Sequence, residues 1–451
     1  MMISTALLSA CFNGTSSSGI VNSPDSSNAI ASPTSLSANT ELAGQSSVTG
    51  ATITIKAADG TLLSTTANDT YTGYQTMVPD QADYPYTITA TSGIDPVSGT
   101  PPGFPLMSVV TGPDSGIANI NVFSTLIVKT AQAMPGGLTT SNLDLAGQLV
   151  LQYLNFGLDQ VLLPDPIATP VTTENVASLV KADEILAEMI RRTYSALQVV
   201  GYDVSEYDII STLAADMTDG YLDGNGAGGA NPLIAAIANI VSGQVLVEGL
   251  SNNLNVNGAW AGDLLDNAIR AALPEVTQLS ADVTITAAVL QQTKTAIGAA
   301  QAIDPSETLS TLALIVNSLT PGMHPGNIEA VLPGERGGDF NDALMLAASS
   351  SNDQLAAINT AARQTSDVPA DDKLLALAWY SNPGDILGYI VYYGSTPESA
   401  TTIASETSTT SVKYYVNTDL GLNPGDSVCF RLKAFNLAGL SAYSGAACMY
   451  I

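Results

Sequence analysis

Basic residues are scarce in this chain of 451: Lys and Arg total 13 against 41 Asp and Glu, a formal charge of -28. That balance argues against nucleic acid as a partner, because such binding runs on cations that neutralise phosphates. It argues equally against peripheral docking on anionic lipid. Histidine is scarcer still, with His324 standing alone. One imidazole cannot build the His clusters of a zinc site. A Ser-His-Asp triad would have to use it inside a Met-His-Pro-Gly loop that has no nucleophile-elbow motif beside it. No GxGxxG or P-loop pattern occurs. Charged residues make up 12% of the chain, about half the usual share. After residue 10 no uninterrupted apolar run reaches membrane-spanning length. The nearest, 231–250, is broken by Asn239, Ser242, Gly243, Gln244 and Glu248.

What is present is apolar mass. At 45% apolar residues, the chain can build real cores, and its length suits two to four domains. The predicted fold class is multidomain α+β: an N-terminal β-sandwich, a central all-α helical domain and a C-terminal immunoglobulin-like β-sandwich.

Three cysteines occur, at Cys11, Cys429 and Cys448. The stretch Leu8-Ser9-Ala10-Cys11 resembles the lipobox of bacterial lipoproteins. The resemblance implies a signal over 1–10 that is removed, and a lipidated Cys11 that holds the chain on an outer membrane or cell surface. The short apolar run and the missing basic n-region depart from the usual signal. Residues 11–45 begin with Ser, Asn, Thr and Gly and almost no charge. Such a segment buries too little surface to offset its ordering entropy, and it reads as a flexible tether.

Residues 46–120 read as a β-sandwich. Thr52–Lys56 alternates, Asp59-Gly60 makes a turn, and Tyr86, Ile88 and Ala90 alternate again. The phrase Val48–Thr61 resembles the first hairpin of carboxypeptidase-regulatory-like, transthyretin-like domains, modules common in bacterial surface proteins. From 121 to 365 the period turns helical, with Ser124 as a cap for the first helix. Further helices are predicted over 204–217, 231–250, 259–273, 281–302 and 307–319, poor in charge and packed on one another.

Within that helical region Asp219, Asp223 and Asn225 stand at positions 1, 5 and 7 of an EF-like loop. Tyr221 at position 3 and Ala230 at position 12 offer no carboxylate, and a tight Gly-rich turn explains the same residues. Calcium is therefore a weak expectation, and no other cofactor is expected. Arg191-Arg192 is the one dibasic pair, read as an ion-pair partner of Glu188 or Asp183.

Residues 372–451 carry the most specific pattern. Leu375, Leu377 and Trp379 alternate, Gly388–Gly394 forms a second strand, and Leu422–Asp426 leads into Val428–Ala434. This resembles a fibronectin type III domain, although the family's corner tyrosine would fall at Val428. Around a hairpin centred between Ala438 and Gly439, Cys429 and Cys448 are equidistant, which predicts a disulfide across the last two strands. Tyr380, Tyr392, Tyr414, Tyr415 and Tyr443 are candidates for stacking on sugar rings.

Together these readings predict a non-catalytic surface lipoprotein in adhesion, ligand binding or envelope assembly. Its expected partners are the membrane, through the lipid, and a cell-surface protein or polysaccharide. The rival is an extracellular enzyme or polysaccharide-capture protein with an acidic cleft in the helical domain.

Overall fold

The computed structural model describes residues 6–8, 39–68, 73–79, 83–113, 115–276, 285–323, 325–365, 374–379, 386–407, 410–415, 420–422, 426–436 and 439–450. Cys11, His324 and Tyr380 lie outside the described residues. The fold is mixed α+β, with sheets towards both chain ends and helices between them. It forms two compact units, Pro33–Asp367 and Met1–Ser32 with Val368–Ile451.

In the larger unit, Thr52–Lys56 pairs antiparallel with Leu62–Ala67 on one side and Tyr86–Thr91 on the other, and Leu106–Val110 completes the sheet. The period-2 pattern decides the faces: Tyr86, Ile88 and Ala90 are buried while the threonines between them are half-buried. Gly60 takes φ +86° in the turn, a conformation that costs glycine little, and the Asp59 carboxylate accepts from Thr61 N. Asn39–Gln45 and Gly73–Pro79 form a separate antiparallel ribbon.

The helices follow: α1 (Val122–Ala133), α2 (Thr140–Tyr153), α3 (Val176–Val199), α4 (Glu206–Asp216), α5 (Pro232–Leu250), α6 (Gly262–Ala272), α7 (Ala287–Ile303), α8 (Glu307–Ser318), α9 (Pro325–Val331), α10 (Asn341–Ala348) and α11 (Asn352–Thr365). At α1 the cap is Asn121 rather than Ser124. Asn121 Oδ1 accepts from Ser124 N, and Ser124 Oγ accepts from Asn121 N, a reciprocal capping box. The serine was legible as a helix-start residue, but it sits one turn in.

The centre of the unit is α5. Asn231 caps it, accepting from Leu233 N and Ile234 N, and Pro232 takes the first turn, where no backbone donor is needed. By length and mean hydropathy it qualifies as a membrane span, yet 89% of it is buried inside the unit. The residues that interrupt its apolar run each meet a neighbour. Asn239 Nδ2 donates to Leu222 O at 2.7 Å, and Ser242 Oγ to Ala238 O at 2.7 Å. Gly243 lies against the Phe340 ring, where a Cβ would come within 2.2 Å of a ring carbon. Burying each Ile, Leu or Val of this helix is worth roughly 1.5–3 kcal/mol. One apolar core runs from Leu42 to Ala362, so the sheet and the helices share it.

In the smaller unit, Leu374–Trp379 pairs with Ser411–Tyr415, and Ala6–Leu8 lies parallel along its other edge. A second sheet orders Thr402–Thr407, Gly388–Gly394 and Ser427–Asn436, with Gly439–Leu440 and Ala447–Tyr450 on the far side. Leu375, Leu377 and Trp379 form one core with Tyr389, Val391, Phe430 and Leu432. Cys429 and Cys448 are directly opposed and joined, with Cα atoms 4.0 Å apart.

Nearer the turn the pairing shifts by two residues, to Phe435 opposite Leu440. Two serines bridge the irregular stretch. Leu432 N donates to Ser444 Oγ and Ala434 N to Ser441 Oγ, while the carbonyls of Leu432 and Ala434 accept from the same serines' N–H groups. Hydroxyls thus replace the strand carbonyls that the shift removes, and the buried backbone groups stay paired.

Candidate functional site

The densest cluster of ionisable groups lies where the sheet meets the helices. It is organised by α3, whose residues 184, 188, 191 and 192 share one face at helical spacing. Arg191 pairs with Glu184, with Glu188 at 2.8 Å and with Asp95 of a sheet loop at 3.6 Å. Arg192 reaches Glu188 at 2.9 Å and grips Glu248 of α5 with two nitrogens, at 2.8 and 2.7 Å. It also donates to Asn255 O at 2.6 Å, and Asn255 N returns a bond to Glu248 Oε2 at 3.0 Å. The expected Glu188 partnership is present, and the network extends past it to three further acids that the sequence did not point to.

Asp183, one position earlier, faces the other way. Its Oδ1 accepts from Val122 N at 2.8 Å and Phe123 N at 3.3 Å, the exposed donors at the start of α1, and its Oδ2 accepts from the Ser47 hydroxyl. An anion at a helix N-terminus is stabilised by those donors and by the dipole. Burial nevertheless pushes the Asp183 carboxyl up to about 6, against the pull of its three donors. Glu184 is also raised well above its ordinary value, by burial first, with Arg191 opposing.

A cleft opens beside these groups, lined by Asp95, Asp183, Glu184, Arg191, Glu206 and Phe104. It has about 60 Å³ of room, enough for a few waters. The two shifted carboxylates on its wall are already engaged, Asp183 by its donors and Glu184 by Arg191. General acid-base work needs a group within reach of a substrate proton. The geometry supplies a cross-brace instead, tying sheet, α1, α3 and α5 together.

The acidic loop behaves in the same way. Asp219 Oδ1 accepts from Tyr221 N, and Asp223 Oδ1 accepts from Asn225 N. Asp223 Oδ2 meets Arg363 Nη1 at 3.0 Å, and that guanidinium also lies 4.1 Å over the Tyr221 ring. Asp216 closes the turn: its two oxygens accept from Gly224 N at 2.8 Å and Gly226 N at 3.2 Å. Burial lifts its carboxyl to about 7, with Asp223 and Asp219 adding to the rise. Gly224 takes φ +80°, and a Cβ at Gly226 would strike the Ala215 and Asp216 carbonyls. Among the described residues no group of three His, Cys, Asp or Glu side chains is placed to hold a metal ion.

Of the candidate tyrosines, three have described side chains, and Tyr380 and the Tyr415 side chain lie outside the described part of the structure. Tyr414 and Tyr392 are buried, and Tyr443 is half-buried beneath Arg431 at 4.4 Å and Lys433 at 4.1 Å. Among the described residues two aromatics face solvent, Tyr207 at 47% and Trp260 at 54% exposed, and Trp260 is the one beside a cavity. The sequence reading placed it inside a helix over 259–273. The structure starts α6 at Gly262 and puts Ala259–Trp260 opposite Asn255–Val256 in a hairpin. Asn257-Gly258 was the available signal, since both residues accept the positive φ of a two-residue turn. Comparison with known proteins gives no match to a family model, and no significant match to a curated protein or a solved structure.

Proposed function

We propose that this chain is a non-catalytic cell-surface lipoprotein, held through an acylated Cys11, that acts in adhesion, ligand binding or envelope assembly. On this reading the N-terminal sheet is a transthyretin-like module. The C-terminal unit is a fibronectin type III module of immunoglobulin-like fold. The observation that carries the proposal is the use of the buried charges. Asp183, Glu184 and Arg191 line a cleft with room for only a few waters, and they, with Glu188, Arg192 and Glu248 behind them, each hold structural partners. A binding protein needs a rigid body of this kind, whereas an enzyme needs free groups in a cavity that takes substrate. The disulfide suits an oxidising compartment.

The test is the intact mass of the protein extracted from its native membrane, with and without reductant. The expected mass begins at Cys11, carries acyl chains and gains about 2 Da on reduction, two hydrogens per disulfide. An unacylated mass beginning at Met1 would remove the anchored reading.

A further inference from the structure

We propose that the cavity beside Trp260 binds a sugar ring that carries no negative charge. The inference rests on the surface-protein reading above and names the ligand class of one site on the larger unit.

Trp260 is displayed rather than merely left out. The chain has two tryptophans, and the other, Trp379, is buried. The Trp260 hairpin is fastened at several points. Its tip residue Asn257 donates to Ser98 O at 3.2 Å, and Asn255 is locked into the Arg192–Glu248 pair. The indole Nε1 donates to Asn252 O at 3.4 Å, and the ring lies over Gly262, where a Cβ would come within 2.1 Å of it. The ring therefore has a fixed orientation while more than half of the residue meets solvent. Packing alone would bury it, since an indole is a large apolar group.

The ring borders a cavity of about 170 Å³ between α3 and α6. Lys181, Asn252, Asp263, Asp266 and Ile269 complete the parts that matter. Lys181 is 4% exposed and donates to Asn252 Oδ1 at 3.1 Å, which sets that amide's orientation. The site thus combines one rigid aromatic face, an apolar floor and a rim of two carboxylates. A pyranose presents the matching features: an apolar C–H face for the indole and hydroxyl donors at its edge for the carboxylates. A mostly apolar pocket with a few placed polar groups is the usual form of a small-ligand site. Charge sets the selection within sugars. Two aspartates against one lysine leave the lining negative, inside a chain of net charge -28. Uronic and sulfated sugars are repelled, and neutral or amino sugars are accepted.

The experiment titrates the full chain with cellohexaose, chitosan hexamer and oligogalacturonate, reading calorimetric heat and tryptophan fluorescence. The neutral or the amino oligosaccharide is expected to bind, to shift the emission and to shield Trp260 from acrylamide quenching. Trp260→Ala should weaken that binding about tenfold or more, and Trp260→Phe should recover part of it. Because more than half of the residue meets solvent, both variants should stay folded, and their melting is measured beside the parent's so that a lost site is told from a lost fold. Three results would each overturn the proposal: no binding of the neutral and amino probes at millimolar concentration, binding unchanged in Trp260→Ala, or tighter binding of oligogalacturonate. Choline displacing the sugar probe would also overturn it, marking a cation site. Failure here together with an acylated Cys11 mass would discard the sugar site and leave the anchored protein standing. Sugar binding by an unacylated chain would do the reverse.

Discussion

The two units keep their shape by different means, and their charges show it. Pro33–Asp367 holds 33 of the 41 acids and nine of the 13 basic residues. It draws several of those cations inside, where Arg191 and Arg192 brace three elements and Lys181 is nearly enclosed. The smaller unit keeps Arg431 and Lys433 over the Tyr443 ring and closes its last strands with a disulfide. A large unit buries enough apolar surface to carry a desolvated ion-pair network. A sandwich of some 80 residues has less core to draw on, and a covalent link offsets that deficit. The lesson is that each buried charge of the Arg191–Arg192 network has a structural partner.

Among the substitutions, the largest expected effect falls on Asp183. Asp183→Ala leaves the Val122 and Phe123 donors and the Ser47 hydroxyl without their acceptor, and should cost the larger unit about 3 kcal/mol or more. Asp183→Asn keeps an acceptor for the two N–H groups and offers Ser47 a donor, so its cost should stay below about 1 kcal/mol. Chemical denaturation of both variants checks the pair. Equal losses would mean that the charge itself, rather than the hydrogen bonds, holds the junction.

Reduction of Cys429–Cys448 comes next. It should lower the stability of the smaller unit by about 3 kcal/mol in the chain-entropy model and leave the larger unit's transition in place. Calorimetry with and without reductant reads this directly, since Pro33–Asp367 contains no cysteine.

The pH response should sharpen the comparison further. Asp183 and Asp216 have folded values of about 6 and about 7, raised mainly by burial. Both therefore hold protons in the folded unit that the unfolded chain releases above about pH 4. The folded state binds more protons in that window, so stability is greatest below it and falls as pH rises towards 7. At about 1.4 kcal/mol per pH unit for each carboxyl below its folded value, the larger unit should lose roughly 5 kcal/mol between pH 4.5 and 7.5, and Asp183→Asn should flatten part of that slope. Added salt would cancel the loss if it came only from surface self-repulsion.

The smallest effect belongs to Tyr443→Ala. It removes the ring under Arg431 and Lys433 and should cost the smaller unit about 1 kcal/mol or less.

Much of this fold was legible where a single local rule decides. The alternation of Tyr86, Ile88 and Ala90 gave the strand and its buried face. The equidistance of Cys429 and Cys448 gave their pairing even though the turn slips by two, because the serine hydroxyls absorb the slip further along. What stayed hidden depends on distant partners. Nothing local announces that Asp183 will cap α1 across some sixty positions, or that Glu248 will meet Arg192. Ser124 showed that a helix begins nearby but not that Asn121 precedes it in the reciprocal cap. The Trp260 hairpin was hidden because its apolar neighbours fit a helical period, and the only local sign against that period is the Asn257-Gly258 pair.

The most direct test of the central claim is the unfolding free energy of the larger unit in Arg192→Ala, Glu188→Gln and Glu248→Gln. If these groups are structural, Arg192→Ala strands the buried Glu248 carboxylate, while Glu188 keeps Arg191, and should cost about 3 kcal/mol or more, with the glutamine variants losing less. Groups held under strain for catalysis behave in the opposite way, and their removal commonly leaves stability unchanged or raised. A gain in stability on removing Arg192 would contradict the account and return the junction cleft to consideration as an active site.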